Sequence, residues 1–143
     1  MEIVEGGTYL FAPRIENKVY IWGEKEYNQI KPCLFKEMSC SLYQVTPRYA
    51  VHRFDFKFED IDSHKVNHIH MMYEPDLTGY VFKDIEDYLQ YLIAESKYRN
   101  EVLEENRKKK GVLGKRKLKK FILDDFLQNK ILESQENHPE RWI

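Results

Sequence analysis

The 143-residue chain has little of what would mark a specialised class. No stretch approaches the roughly 18 uncharged apolar residues that a transmembrane helix needs. Its first residues, MEIVEGG, are acidic where a secretory leader would be basic, so a cytoplasmic location is expected. It holds two cysteines, Cys33 and Cys40, seven residues apart. That spacing fits no zinc or redox motif, and one pair makes no disulfide framework, so both are expected to be small buried hydrophobes. There is no G-x-S-x-G elbow, and Gly6–Gly7 is not a phosphate loop, which argues against a serine hydrolase or a nucleotide-binding enzyme. Internal repeats are absent. The formal net charge is only −1, so the protein as a whole is no polycation.

What is present describes a globular chain. Hydrophobic residues make up 42% and charged residues 33%, and a chain of this length can bury a core without staples. The fold class expected is α+β, organised as a single domain over 1–143. Residues 1–80 would be strand-rich, 83–134 helical, 107–120 a basic connector and 135–143 a loose tail. Strands are expected at Thr8–Ala12 and Lys18–Trp22, joined as a hairpin through Arg14–Asn17, and then at Ser39–Val45, Tyr49–Phe58 and Val66–Tyr73. Pro32 leaves Lys31–Met38 open between a short helix and a strand. Ile85, Tyr88, Leu89, Leu92 and Ile93 form one helical stripe within Lys83–Tyr98, continuing to about Arg107. A last helix is expected over Arg116–Ser134. Four to six strands followed by two helices suggest a curled antiparallel sheet on which the C-terminal helices pack.

Two features could carry chemistry. The first is Asn67–His68–Ile69–His70, where residues two apart on a strand share a face and project two imidazoles together. Imidazole titrates near neutral pH, so one ring can take a proton while the other gives one, as cleavage of RNA through its own 2′-hydroxyl requires. On the neighbouring strand Phe54, Phe56 and Phe58 point one way, with His52 on their side by the same count. Arg53, Asp55 and Lys57 point the other way. Arg53 could bind a phosphate through its forked donors, and Asp55 could orient a histidine. Whether the Arg53 and His68 faces coincide depends on strand register. The same spacing also fits the solvated face of a half-exposed sheet, with Arg53 and Asp55 as a structural ion pair.

A metal site is a further alternative, with His64 or His52 as a third ligand and Asp55, Asp60 or Asp62 as a carboxylate. No His-Glu-x-x-His or cysteine signature accompanies it, so no metal or other cofactor is expected. The second feature is RKKKGVLGKRKLKK at 107–120, with nine basic residues among fourteen. Arg107, Lys108, Lys109, Lys110, Lys115, Arg116 and Lys117 could neutralise phosphates and gain affinity by counterion release. A solvated connector, or a dock for an acidic protein partner, fits the same run.

The order of an aromatic strand with Arg53–Phe54–Asp55, a spacer, His68–Ile69–His70 and the Ile85–Ile93 helix resembles the small bacterial TumE-like toxins and related uncharacterised prokaryotic proteins. The resemblance covers about residues 49–98. It departs from that pattern at Phe54, where the family has a tryptophan, and in the basic C-terminal extension. It implies a growth-inhibiting activity on RNA and an antitoxin or other protein partner. The combined expectation is a toxin or defence-type ribonuclease in which His68 and His70 act as base and acid, Arg53 binds phosphate and Asp55 orients. The alternative is a non-catalytic binder of nucleic acid or of a host or phage protein, acting through 107–120. No membrane partner is expected, and self-association as a homo-oligomer stays open.

Overall fold

The computed structural model describes residues 2–15, 21–110 and 121–142, with the backbone alone at 103 and 106–110. In chain order the elements are β1 (Thr8–Phe11), β2 (Ile21–Trp22), α1 (Glu24–Tyr27), β3 (Lys31–Thr46), β4 (Tyr49–Asp60), β5 (Val66–Met72), β6 (Val81–Phe82), α2 (Ile85–Lys110), β7 (Ile122–Leu123) and α3 (Asp125–Asn137), closed by a 3-10 turn at Pro139–Arg141. The class is α+β. The described residues form an open five-stranded antiparallel sheet, a two-stranded ribbon and three helices, two of them C-terminal. They gather into two compact units: Met1–Phe11 with Lys31–Lys83, and Ala12–Ile30 with Asp84–Ile143.

The first unit holds the sheet, in the order β5-β4-β3-β1-β6. Alternation along β4 decides its two faces. Phe56 and Phe58 are buried together with Tyr9, Cys33, Phe35, Ile69 and Val81, and Phe54 and Met71 pack at the margin of this cluster. Phe58 lies 5.2 Å from the Phe35 ring and 6.0 Å from Phe11, between centroids. Burying each such ring is worth about 1.5–3 kcal/mol against leaving it in water. Lys31–Met38, ambiguous from sequence, is strand and continuous with Ser39–Val45. Pro32 is only the second residue of β3, where the loss of one ladder donor interrupts little. A register shift between Phe35 and Glu37 resets the alternation. Cys33 is buried as expected, and burial pushes its thiol up to about 11. Cys40 differs: it is exposed, because β3 runs past the edge of the core from Lys36 onward. A turn at Thr78–Tyr80 leads into β6, and Gly79 takes the left-handed backbone (φ 87°) that glycine allows.

The second unit is built around α2. Tyr88, Leu89 and Leu92 of the expected stripe are buried, with Trp22, Phe121, Leu127 and Ile131 also in the interior. Trp22 Nε1 donates to the Tyr88 hydroxyl at 2.8 Å. Among the described residues the expected β1–β2 hairpin is not formed; Glu16 and Asn17 of its loop and Lys18, Val19 and Tyr20 of its second strand lie outside them. β1 pairs with β3 and β6, whereas β2 pairs in parallel with β7. The last helix starts later than expected, at Asp125. Phe121, outside any helix, is bound by Asn100, whose amide donates to its carbonyl (3.3 Å) and whose Oδ1 accepts from its N–H (3.2 Å). The Asp124 side chain then accepts from Leu127 N at 2.9 Å as the N-cap. The tail is docked rather than loose. Arg141 forks onto Asp84 (2.8 and 2.9 Å) and reaches Asp87 (2.8 Å), and Trp142 Nε1 donates to Ser134 Oγ at 2.9 Å.

Candidate functional site

Strand register is the fact that builds the site. β5 runs antiparallel to β4 with Asp55 opposite His70, Lys57 opposite His68 and Arg53 opposite Met72. Directly opposed residues share a face of the sheet, so Arg53, Asp55, Lys57, His68 and His70 converge on the face away from the phenylalanine cluster. The sheet needs Phe56, Phe58 and Ile69 inside, and the period of two then sends these polar residues out.

The polar contacts are specific. His68 Nδ1 and His70 Nδ1 each lie 3.4 Å from the same oxygen, Asp55 Oδ1. The two imidazoles are nearly parallel, 7° apart in plane with centroids 5.9 Å apart. Arg53 Nη2 lies 3.3 Å from His70 Nδ1 and its guanidinium carbon 6.0 Å from the Tyr43 ring centroid. The histidine side chains are 43% and 48% exposed, whereas Asp55 is 24% exposed. The carboxylate thus sits in the floor of the group and the rings stand out from it. With both Nδ1 atoms turned to Asp55, both Nε2 atoms face away from that floor.

Lys57 is on the face but engaged elsewhere. Its ammonium donates to Glu37 Oε1 at 2.8 Å, and that hydrogen bond raises its pKa above the usual lysine value. Sequence reasoning missed Glu37 and Tyr43, both on β3. Their place on this face follows only from the register of β3 with β4, which sets Glu37 opposite Lys57, Ser39 opposite Asp55 and Ser41 opposite Arg53.

The other sequence candidates lie apart. His52 falls on the opposite face, as its parity with Phe54 requires, with Nδ1 3.7 Å from Cys40 Sγ. His64 occupies a left-handed turn position (φ 59°) after β4. Asp60 is buried and accepts from Asp62 N (2.9 Å) and Ser63 N (3.1 Å). The Ser63 backbone contact, first, and then that of Asp62 hold its carboxyl below the usual range. Of the third donors considered for a metal, Asp55 is the one that groups with His68 and His70 among the described residues. In the basic run, Arg107, Lys108, Lys109 and Lys110 end the backbone of α2, while Lys115, Arg116 and Lys117 lie outside the described residues.

Compared with known proteins, the chain matches no protein-family model, no curated protein and no solved structure. No described helix is long and apolar enough to cross a membrane.

Proposed function

We propose that the exposed face of β4 and β5 binds a phosphodiester of RNA and cleaves it by acid–base chemistry, with the 2′-hydroxyl as nucleophile. The observation that carries this reading is the convergence of two nearly parallel imidazoles on one Asp55 oxygen, with Arg53 against one of them. His68 Nδ1–H donates to Asp55 Oδ1, which leaves the Nε2 lone pair outward as a base. A guanidinium can only donate, so its contact with His70 calls for an unprotonated Nδ1 at rest; to act as the acid His70 takes a proton there as Arg53 moves to the phosphate, and the resulting imidazolium gives its outward Nε2 proton to the leaving 5′-oxygen. Ring centres 5.9 Å apart can flank one phosphorus, with the attacking and leaving oxygens between them. Arg53 faces the same side and would neutralise the phosphate; the positive run at 107–120 would add affinity without reading bases.

In biological terms the reading is a cytoplasmic toxin or defence-type ribonuclease whose partner, when it has one, is an antitoxin protein. The test is to incubate purified protein with RNA oligonucleotides and with their 2′-deoxy counterparts. Cleavage of RNA alone, leaving 2′,3′-cyclic phosphate ends and lost in His68→Ala and His70→Ala, is expected. RNA that is bound but left intact would replace this reading with a non-catalytic binder. Equal cleavage of the deoxy strands would exclude the 2′-hydroxyl route.

A further inference from the structure

We propose that Asp55, His68 and His70 form a binding site for a divalent first-row metal ion of the zinc type. The three donor groups lie within 4.8 Å of one another. Both Nδ1 atoms stand 3.4 Å from Asp55 Oδ1. That separation is long for a charge-assisted N–H···O bond, which settles near about 2.7–2.9 Å. It is the separation that two ligands of one tetrahedral ion adopt: donors about 2.0–2.2 Å from zinc lie roughly 3.3–3.6 Å apart. The two histidine–carboxylate separations therefore match coordination spacing, and the third side of the triangle is no longer than 4.8 Å.

The donor chemistry agrees with the spacing. Two imidazoles and one carboxylate suit zinc and its neighbours better than magnesium or calcium, which prefer oxygen donors throughout. The ligands come from two paired strands, with His68 and His70 two residues apart on one and Asp55 opposite His70 on the other. The sheet ladder thus fixes their Cα positions before any ion arrives. Three protein ligands on an open face leave a fourth position to water or to an anionic ligand, the pattern of a reactive rather than a sealed site.

One group opposes the ion. The Arg53 guanidinium, 3.3 Å from His70 Nδ1, would have to withdraw, and Tyr43 offers its ring on the side where the guanidinium already lies. Arg53 therefore acts as a built-in competitor, and its removal should strengthen binding. The opposite face provides an internal control, since Cys40 and His52 are also close but contribute no carboxylate. This inference rests on donor geometry alone; an ion on both Nδ1 atoms would occupy the groups that the cleavage reading uses, so metal binding is measured apart from RNA cleavage.

The experiment uses the full chain, titrated with Co2+ followed by visible absorption and with Zn2+ followed by calorimetry. One equivalent is expected to bind in the micromolar range. Each of His68→Ala, His70→Ala and Asp55→Asn should weaken binding at least tenfold, Cys40→Ser should leave it unchanged, and Arg53→Met should tighten it severalfold. Misfolding cannot mimic the gain from Arg53→Met, so that variant keeps the test decisive. Absence of binding at millimolar metal overturns the proposal, as does binding that survives loss of both histidines, binding lost with Cys40→Ser, or weaker binding in Arg53→Met.

Discussion

If Arg53 sets the tautomer of His70, the two histidines are not interchangeable, and a change of leaving group separates them. Removing a general acid or a general base typically costs 10²–10⁴-fold in rate, about 3–5 kcal/mol on the barrier. On a natural RNA linkage, where the departing 5′-oxygen needs a proton, His68→Ala and His70→Ala should both fall by that amount. On a uridine 3′-aryl phosphate the leaving phenoxide is stable without protonation. The His70→Ala deficit should then shrink to within about tenfold, while the His68→Ala deficit persists because the 2′-hydroxyl still needs its base. The folded state should tolerate both changes. The side chains are 43% and 48% exposed, and surface substitutions of this kind usually stay within about 0.5 kcal/mol. The assay is single-turnover cleavage of the two substrates by wild type and variants, with thermal melts as the fold control. Rescue of His68→Ala in place of His70→Ala, or equal rescue of both, would refute the tautomer argument.

Three further outcomes test the packing within the two units. Phe58→Ala, at a fully buried ring against Phe35 and Phe11, should destabilise by about 3–5 kcal/mol in urea unfolding. Tyr88→Phe should cost about 1–3 kcal/mol, because the buried Trp22 N–H loses the hydroxyl it donates to; a melting temperature equal to wild type would contradict that bond. Asp60 carries a depressed folded pKa, so its charge stabilises the fold above the unfolded carboxyl pKa of about 3.9 and stops doing so as pH falls through the lower folded value. Asp60→Asn should therefore be less stable than wild type at pH 7, with the gap closing toward strongly acidic pH in denaturant titrations.

Much of the sheet was legible locally. The run Phe54, Phe56, Phe58 alternates without a break, and each of those residues lies on the core side, so the outward direction of Arg53 and Asp55 was readable from one strand alone. The α2 stripe was equally clear, since Tyr88, Leu89 and Leu92 repeat at helical spacing and are buried. The start of α3 at Asp125 is not legible in the sequence because Leu118, Phe121 and Ile122 fit a helical stripe. The side chain of Asn100, 21 residues away, takes both backbone polar groups of Phe121, and no local pattern announces that clamp. The β1–β2 hairpin failed for a similar reason: two short aromatic segments close in sequence found better partners far along the chain.

The sequence by itself determined which side chains can share a face, because a strand's period of two is a property of the backbone and the hydrophobic pattern chooses the inner side. It therefore paired His68 with His70, set Arg53 beside Asp55 and removed His52. It could not say that the two pairs meet. That depends on how far β5 slides along β4, and a slip of one residue would turn both histidines into the core. Only the packed sheet decides it, with Ile69 buried opposite Phe56, His70 set opposite Asp55 and the four polar residues brought to one face.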